Sequence, residues 1–211
     1  ILATVHGRAA CGNGLATITN VPHLGGSSYT VTALNASGQT AGYSQLPGDQ
    51  EERAFRSGPG GVLDLGTLGG SFSYSYAMND AGQVAGESLL PGDFTPPHAF
   101  RFDGATLLDL GTLDGVSSTA LAINNAGQVA GDLQTAGSTV EAFLYSNGTM
   151  TSLGHLGGFY SRAAAINQSG SVVGNSLTEA SEQHAFLYTN GTMVDLGSLG
   201  GGYSDAFALN D

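Results

Sequence analysis

An all-β fold built from repeated units is predicted for this chain, and three observations support the prediction. Gly accounts for 34 of the 211 residues, more than twice the usual share of about 7%. Charged residues make up only 10% of the chain, against a usual ~25%. One sequence pattern recurs five times in phase. Many short strands joined by tight turns would produce all three features.

The repeat is marked by an Asn that ends each copy. These residues are Asn35, Asn79, Asn124, Asn167 and Asn210, at spacings of 44, 45, 43 and 43 residues. A Gly-Gln or Gly-Ser turn follows each of the first four, and an Ala-Phe pair and an LGTLGG-type turn come after it. The complete units span residues 27–70, 71–115, 116–158 and 159–201.

Each unit contains four stretches that we name strands a, b, c and d. In the second unit they are YSYAMN (74–79), GQVAGES (82–88), HAFRF (98–102) and TLLDLGTL (106–113). Strand a alternates small and large apolar residues, which is the period of a β-strand, and strand c is rich in Phe and Tyr. Asn-Gly at 147–148 and 190–191 predicts tight hairpins between strands c and d.

Four antiparallel strands in a unit of about 44 residues are typical of a β-propeller blade. We predict a five-bladed propeller of four-stranded antiparallel blades, with residues 1–211 as a single domain. The N- and C-terminal strands would share the closing blade, made of residues 1–26 and 202–211, with a strand a at 203–210. The alternatives are a fragment of a longer array and an open ring whose loose strand completes a neighbouring molecule. Because the chain does not begin with Met, a processed chain or a fragment is expected.

The quoted motifs resemble the bacterial extracellular HAF-repeat family. The resemblance rests on HAFLY at 184–188, HAF at 98–100, DLGTLGG at 64–70 and AIN…GQVAG within 122–131. It covers residues 15–211, with Arg53 or Glu141 in place of the His in two copies and Asp114 in place of a Gly. It implies a location, secreted or at the cell surface of a bacterium, and it implies no defined activity.

Aromatic residues just before or within strand a are the candidate ligand-binding residues. They are Tyr29, Phe72, Phe159, Tyr160 and Tyr203. In a closed ring they would lie on one face, where aromatic rings beside Asn, Ser and Thr would suit stacking against a sugar. The alternative is that they fill the seams between blades.

Other chemistry is weakly supported by the sequence. Neither GxSxG nor SxxK occurs, so no catalytic residue is predicted. The single cysteine, Cys11, cannot form an intrachain disulfide, and no two of the five His have metal-ligand spacing. We therefore expect no cofactor, although the acidic loops at 47–52 and 91–97 are weak candidates for Ca²⁺. Solvated turns are the simpler interpretation of those loops.

The charge balance argues against two kinds of partner. Seventeen acidic residues stand against five Arg and no Lys, giving a net charge of −12. No basic stripe can bind nucleic acid phosphates, and no apolar run approaches the ~18 residues of a membrane span. Neither nucleic-acid binding nor membrane insertion is expected.

We expect a non-catalytic extracellular binding or scaffold module whose partner is a carbohydrate or another extracellular protein. The alternative is a structural protein that self-assembles into filaments or surface layers, suggested by low charge and loose terminal strands. A polysaccharide hydrolase or lyase, with Arg162 and Asp205 paired across adjacent units near the channel mouth, is the least favoured hypothesis.

Overall fold

The computed structural model describes residues 21–92 and 95–211. These residues form sixteen β-strands and no helix, which confirms the all-β prediction. The strands are β1 (Tyr29–Leu34), β2 (Thr40–Gln45), β3 (Glu52–Gly58), β4 (Gly61–Asp64), β5 (Ser73–Met78), β6 (Val84–Ser88), β7 (His98–Phe102), β8 (Leu107–Gly111), β9 (Ser117–Ile123), β10 (Val129–Gln134), β11 (Val140–Ser146), β12 (Thr149–Gly154), β13 (Gly157–Ile166), β14 (Val172–Thr178), β15 (Gln183–Thr189) and β16 (Thr192–Asp195).

Four consecutive strands pair side by side and antiparallel in chain order. Strands β1–β4 form one sheet and β5–β8 a second, whereas β9–β16 form a third sheet of eight strands. The third sheet consists of two such groups, β9–β12 and β13–β16, joined by one parallel pair between Val140 and Tyr160. Strand β13 is ten residues long and pairs with β14 from Gly157 to Ile166. Its register with β14 shifts between Gly157 and Ser161, and in that stretch Tyr160 pairs with β11 instead.

The described residues form three sheets of four, four and eight strands, and no closed sheet is found among them; the five-bladed ring stays a prediction. Residues 203–210, expected as a strand a, form only a single bridge between Tyr203 and Gln183. The Ser204 N–H donates to the Gln183 carbonyl at 2.8 Å, but no described strand pairs with residues 204–210 in a ladder. Residues 1–20, the remainder of the predicted closing blade, lie outside the described residues.

The hairpin predictions between strands c and d are confirmed. Asn147 and Gly148 have φ angles of 52° and 81°, and Asn190 and Gly191 have φ angles of 52° and 78°. Two consecutive residues in the left-handed region match the right-handed twist of the flanking strands, and Asn-Gly reaches that region at low cost.

The Phe of the Ala-Phe pair packs against the preceding unit in the second, third and fourth units. Phe55, Phe100, Phe143 and Phe186 are fully buried. Phe100 lies in a cluster with Ala41 and Ala54 of the preceding unit, and Phe143 lies with Ala85 and Ala99. Burying one such side chain contributes on the order of 1.5–3 kcal/mol, so the apolar core links one unit to the next.

Each of the first four Asn residues at the end of strand a hydrogen-bonds its own turn and also reaches the next unit. Asn79 Oδ1 accepts the backbone N–H of Gln83 at 2.9 Å, and its Nδ2 donates to the backbone carbonyl of Asn124 at 2.9 Å. The same step joins Asn35 to Asn79, Asn124 to Asn167 and Asn167 to Asn210. The four bonds form what we call the Asn ladder, and the sequence prediction had not included it.

A second series of bonds, the Ser ladder, joins strand c and the following turn to the next strand a. Ser118 Oγ donates to the carbonyl of Gly111 at 2.6 Å and accepts the N–H of Ala99 at 2.8 Å. Ser73, Ser161 and Ser204 make the equivalent pairs of bonds. Each Ser satisfies a donor of strand c and an acceptor of the d–a turn at the boundary between units.

Ser118→Ala is expected to destabilise the fold by about 1–3 kcal/mol, because it leaves the buried Ala99 N–H and the part-buried Gly111 carbonyl without this partner. Ser117→Ala is the matched control, since Ser117 is the half-buried neighbour on the same strand. The control should change the free energy of unfolding by no more than about 0.5 kcal/mol. Urea unfolding measures both variants, and equal effects would contradict the role assigned to the Ser ladder.

Candidate binding site

A row of side chains follows the Gly of strand b in every unit. That Gly is required because strand a bulges towards it; a Cβ on Gly86 would lie 1.9 Å from the carbonyl oxygen of Tyr74. The next residue contacts strand a, or its equivalent, in the following unit. The four contacts, which we call the polar row, are Tyr43 with Tyr74, Glu87 with Thr119, Asp132 with Arg162 and Asn175 with Asp205.

Aromatic rings form the first part of the polar row. The Tyr43 and Tyr74 rings meet edge to face with centroids 4.9 Å apart, and Phe72 lies nearly parallel to Tyr74 at 6.5 Å. The Tyr74 hydroxyl donates to Glu52 Oε2 at 2.8 Å. Burial, and then the bond to Glu52, raise the pKa of Tyr74 well above its ordinary value. This phenol therefore stays protonated as a donor at physiological pH.

Glu87 is held between two hydroxyl groups. The Tyr76 hydroxyl donates to Oε1 at 2.8 Å, and the Thr119 hydroxyl donates to Oε2 at 2.7 Å. Burial raises the pKa of Tyr76, with the charge of Glu87 as the second cause. The carboxylate is fixed in position, and two accepted bonds leave part of its capacity of about four available.

A pocket with a volume of about 190 Å³ opens beside these groups. We call it the aromatic pocket, and its lining residues are Phe72, Tyr74, Glu87, Ser88, Leu89 and Pro97. Leu89 and Pro97, at the two ends of the connection between β6 and β7, form one side of the pocket. That connection is nine residues long, whereas the corresponding connections at 46–51, 135–139 and 179–182 are six, five and four residues long. The repeat therefore departs from its usual pattern where the pocket lies.

Further along the row, Asp132 forms an ion pair with Arg162. Asp132 Oδ2 lies 2.9 Å from Arg162 Nε, and the Asp132 side chain is 17% exposed. Burial raises the pKa of Asp132, the arginine opposes that rise, and the charge of Glu87 adds to it. The net direction is upward, so the charged form of this carboxylate is disfavoured by folding.

The proposed pairing of Arg162 with Asp205 does not occur. Asp205 instead accepts hydrogen bonds from Asn175 Nδ2 at 2.9 Å and Gln183 Nε2 at 2.6 Å, and it also bonds the Tyr203 hydroxyl. Arg162 contacts the preceding unit because strand a always meets strand b of the unit before it.

The five aromatic residues predicted to bind ligand are not equivalent. Phe72, Tyr160 and Tyr203 share one register position. Each forms a parallel bridge to the first residue of strand c in the preceding unit, which is Glu52, Val140 or Gln183. Tyr29 pairs with Ser44, whereas Ser73 pairs with Ser88. Tyr29 therefore occupies the position of the Ser ladder, and its ring stacks on His23 at 4.4 Å.

Of these five residues, Phe72 alone lines the aromatic pocket. Phe159 and Tyr203 are 61% and 65% exposed. Sequence reasoning missed Tyr74, Glu87 and Asp132, although a signal was present. The residue after the strand-b Gly is polar or aromatic in four successive copies, GYS, GES, GDL and GNS.

The HAF motif has a structural role in this chain. His98 Nδ1 lies 3.0 Å from Asp109, and His184 Nδ1 lies 2.9 Å from Asp195, so strand c is joined to strand d. The Asp in turn accepts the N–H of the Gly two residues later, Gly111 or Gly197. The two departures keep the link, because Arg53 pairs with Asp64 and Ser152 donates to Glu141.

Within the part of the chain that the structure describes, no group of three or more His, Cys, Asp or Glu could hold a metal ion. In the loop at 47–52, Asp49 Oδ1 accepts the backbone N–H of Ser27 at 2.8 Å, which lowers the pKa of Asp49. The loop at 91–97 includes residues 93 and 94, which lie outside the described residues. Calcium binding there stays a prediction.

No protein-family model matches the chain, and the comparison with curated proteins finds no match. The resemblance to the HAF repeats therefore stays a prediction that rests on the quoted motifs. Across residues 21–92 and 95–211, no helix has the length and apolar character needed to cross a membrane. The function has to be argued from the site itself.

The raised pKa of Asp132 predicts a pH dependence of stability. The folded state binds a proton more tightly than the unfolded state, whose Asp pKa is about 3.9. Stability from this group is therefore lost as pH rises from about 4 through the folded pKa. Asp132→Asn removes this loss, so the variant should gain stability relative to the parent over that window.

Asp103→Asn is the control with the opposite sign. Backbone hydrogen bonds from Thr106 and Ala105 lower the pKa of Asp103, so its contribution is present above about pH 4 and lost as pH falls through the folded pKa. Urea unfolding of both variants and the parent between pH 3 and 7 measures the two trends. A constant difference between Asp132→Asn and the parent would contradict the assignment.

Proposed function

We propose that this protein is a non-catalytic extracellular binding module that holds a carbohydrate chain in the aromatic pocket. The observation that carries the proposal is the meeting of stacked rings, Phe72 and Tyr74, with a fixed carboxylate, Glu87, in one pocket. Apolar sugar faces stack on aromatic rings, and carboxylates accept bonds from sugar hydroxyl groups. Small-molecule sites typically combine apolar walls with a few placed polar groups.

The proposal of binding without catalysis is supported by how the carboxylates of the polar row are used. Both oxygens of Glu87 accept bonds from protein hydroxyls. Asp132 faces Arg162, and Asp205 is held by Asn175 and Gln183. Each carboxylate is engaged in a contact between strands or units. The secreted or cell-surface location belongs to the same proposal and is supported by the HAF resemblance.

Phe72→Ala is expected to abolish saccharide binding, because it removes one of the two stacked rings. Phe159→Ala is the matched control, since its ring is 61% exposed and does not line the pocket. Binding of neutral oligosaccharides is measured by glycan array and then by calorimetry. Loss of saccharide binding in both variants would extend the site to the other predicted aromatic residues. Saccharide binding that Phe72→Ala leaves unchanged would contradict the proposal.

The five-bladed ring is also a proposal, and residues 203–211 support it. This segment repeats the contacts of a strand a: Ser204 continues the Ser ladder, and the Asn210 carbonyl continues the Asn ladder. Its outer edge has no strand partner among the described residues. Residues 1–20 of the same chain would complete a propeller. A second copy in their place would give the alternative function, assembly into filaments or layers.

Deleting residues 203–211 is expected to lower Tm by about 5–10 °C, because several part-buried hydrogen bonds of about 1 kcal/mol each are lost. Phe207→Ser is the control, since its side chain is 79% exposed, and it should leave Tm unchanged. Calorimetry measures both variants, and light scattering measures the mass of the full chain over a range of concentrations. A monomer favours closure within one chain, whereas concentration-dependent growth favours assembly. An unchanged Tm in the deletion would contradict both.

A further inference from the structure

The aromatic pocket combines π faces with negative charge. Glu87 forms part of its wall, and Glu52 accepts the Tyr74 hydroxyl at 2.8 Å. Both carboxylates act electrostatically on Tyr74, so the ring lies within the field of two negative charges. Aromatic faces and carboxylates attract the same kind of group, a cation, by ring quadrupole and by charge.

None of the four described Arg residues forms an ion pair with Glu52 or Glu87. Arg53 pairs with Glu51 and Asp64, and Arg162 pairs with Asp132. Arg56 donates to the carbonyl of Gly82, and Arg101 donates to the carbonyl of Gly127. The hydroxyls of Tyr74, Tyr76 and Thr119 orient the two carboxylates and leave their negative charge in place.

We propose that the aromatic pocket selects amino sugars with a free, protonated amino group, so that the ligand class is an oligosaccharide of glucosamine type. This inference rests on the proposed carbohydrate-binding function and names its substrate class. The sugar ring stacks on Phe72 or Tyr74, and its ammonium group lies against Glu87. N-acetylation removes the positive charge, and a uronic acid brings a negative charge towards two carboxylates.

The size of the pocket fits this assignment. A volume of about 190 Å³ lies below the ~300–1,000 Å³ of pockets that enclose drug-sized ligands. One sugar residue of a chain fits such a space while its neighbours lie outside. The pocket is therefore a subsite for a single sugar unit. The ammonium group of that unit then has the greatest influence on which oligosaccharide binds.

The test compares three oligosaccharides of equal length: a glucosamine oligomer, its fully N-acetylated form and a galacturonate oligomer. At pH 6 and low salt, the glucosamine oligomer should bind at least about tenfold more tightly than the acetylated form, and the galacturonate oligomer should bind most weakly. The preference should shrink at 1 M NaCl, because salt screens charge.

Three variants separate site-specific selection from general attraction to an acidic protein. Glu87→Gln should remove most of the preference for the amine, while the neutral acetylated oligomer still binds. Glu52→Gln, tested separately, should weaken the same preference. Glu179→Gln is the matched control, because it removes one negative charge at an exposed position outside the pocket, and it should keep the full preference.

The outcomes distinguish this inference from the function on which it rests. Neutral oligomers that bind in a Phe72-dependent way with no gain from the amine would overturn the inference and leave the binding function intact. A preference for the free amine that survives Glu87→Gln and Glu52→Gln would also overturn the inference. So would a preference that falls equally in Glu179→Gln. Absence of binding by all three oligomers would overturn the proposed function itself.

Discussion

The structure depends on buried hydrogen bonds that cross from one unit to the next. Within a unit, the sheet ladder leaves a strand-c N–H and a carbonyl of the d–a turn without backbone partners, and Ser73, Ser118, Ser161 and Ser204 supply both. At the end of strand a, the side chain of each Asn in the Asn ladder donates to the backbone carbonyl of the equivalent Asn in the next unit. A buried polar group without a partner costs about 1–3 kcal/mol. Each unit therefore needs its neighbour, and this is why the motif repeats with so little variation in these residues.

These repeated hydrogen bonds also determine at which positions the sequence can vary from unit to unit. The strand-b Gly is held by contact with the bulge of strand a, and the next residue always meets the following unit. Its identity is free to change because the backbone around it is already satisfied. The polar row runs from aromatic rings at Tyr43 and Tyr74, through Glu87 with Thr119, to the ion pair of Asp132 with Arg162. One geometry thus presents different chemistry in each unit.

The sequence predicted what depends on local chemistry. The all-β strands and the Asn-Gly hairpins follow from patterns within a few residues, and both were predicted correctly. The LGTLGG-type alignment carries no register, and the strand pairing puts Tyr29 one position later than Phe72. Glu87 and Asp132 were missed because the candidate residues were chosen among aromatic residues in or just before strand a, and these two carboxylates lie on strand b. Ring closure pairs distant segments, and no local pattern specifies such a pairing.

The second unit, rather than the third, holds the candidate site because the protein itself neutralises the charge of Asp132 but leaves that of Glu87 unpaired. Glu87 and Asp132 occupy equivalent positions after the strand-b Gly. The residue that faces Asp132 is Arg162, which supplies the positive charge from within the protein. The residue that faces Glu87 is Thr119, which supplies a hydrogen bond and no charge. A buried or half-buried carboxylate without an opposite charge attracts one from outside, and the aromatic pocket opens beside Glu87. The exchange of one facing residue therefore changes an internal ion pair into a place for a cationic ligand.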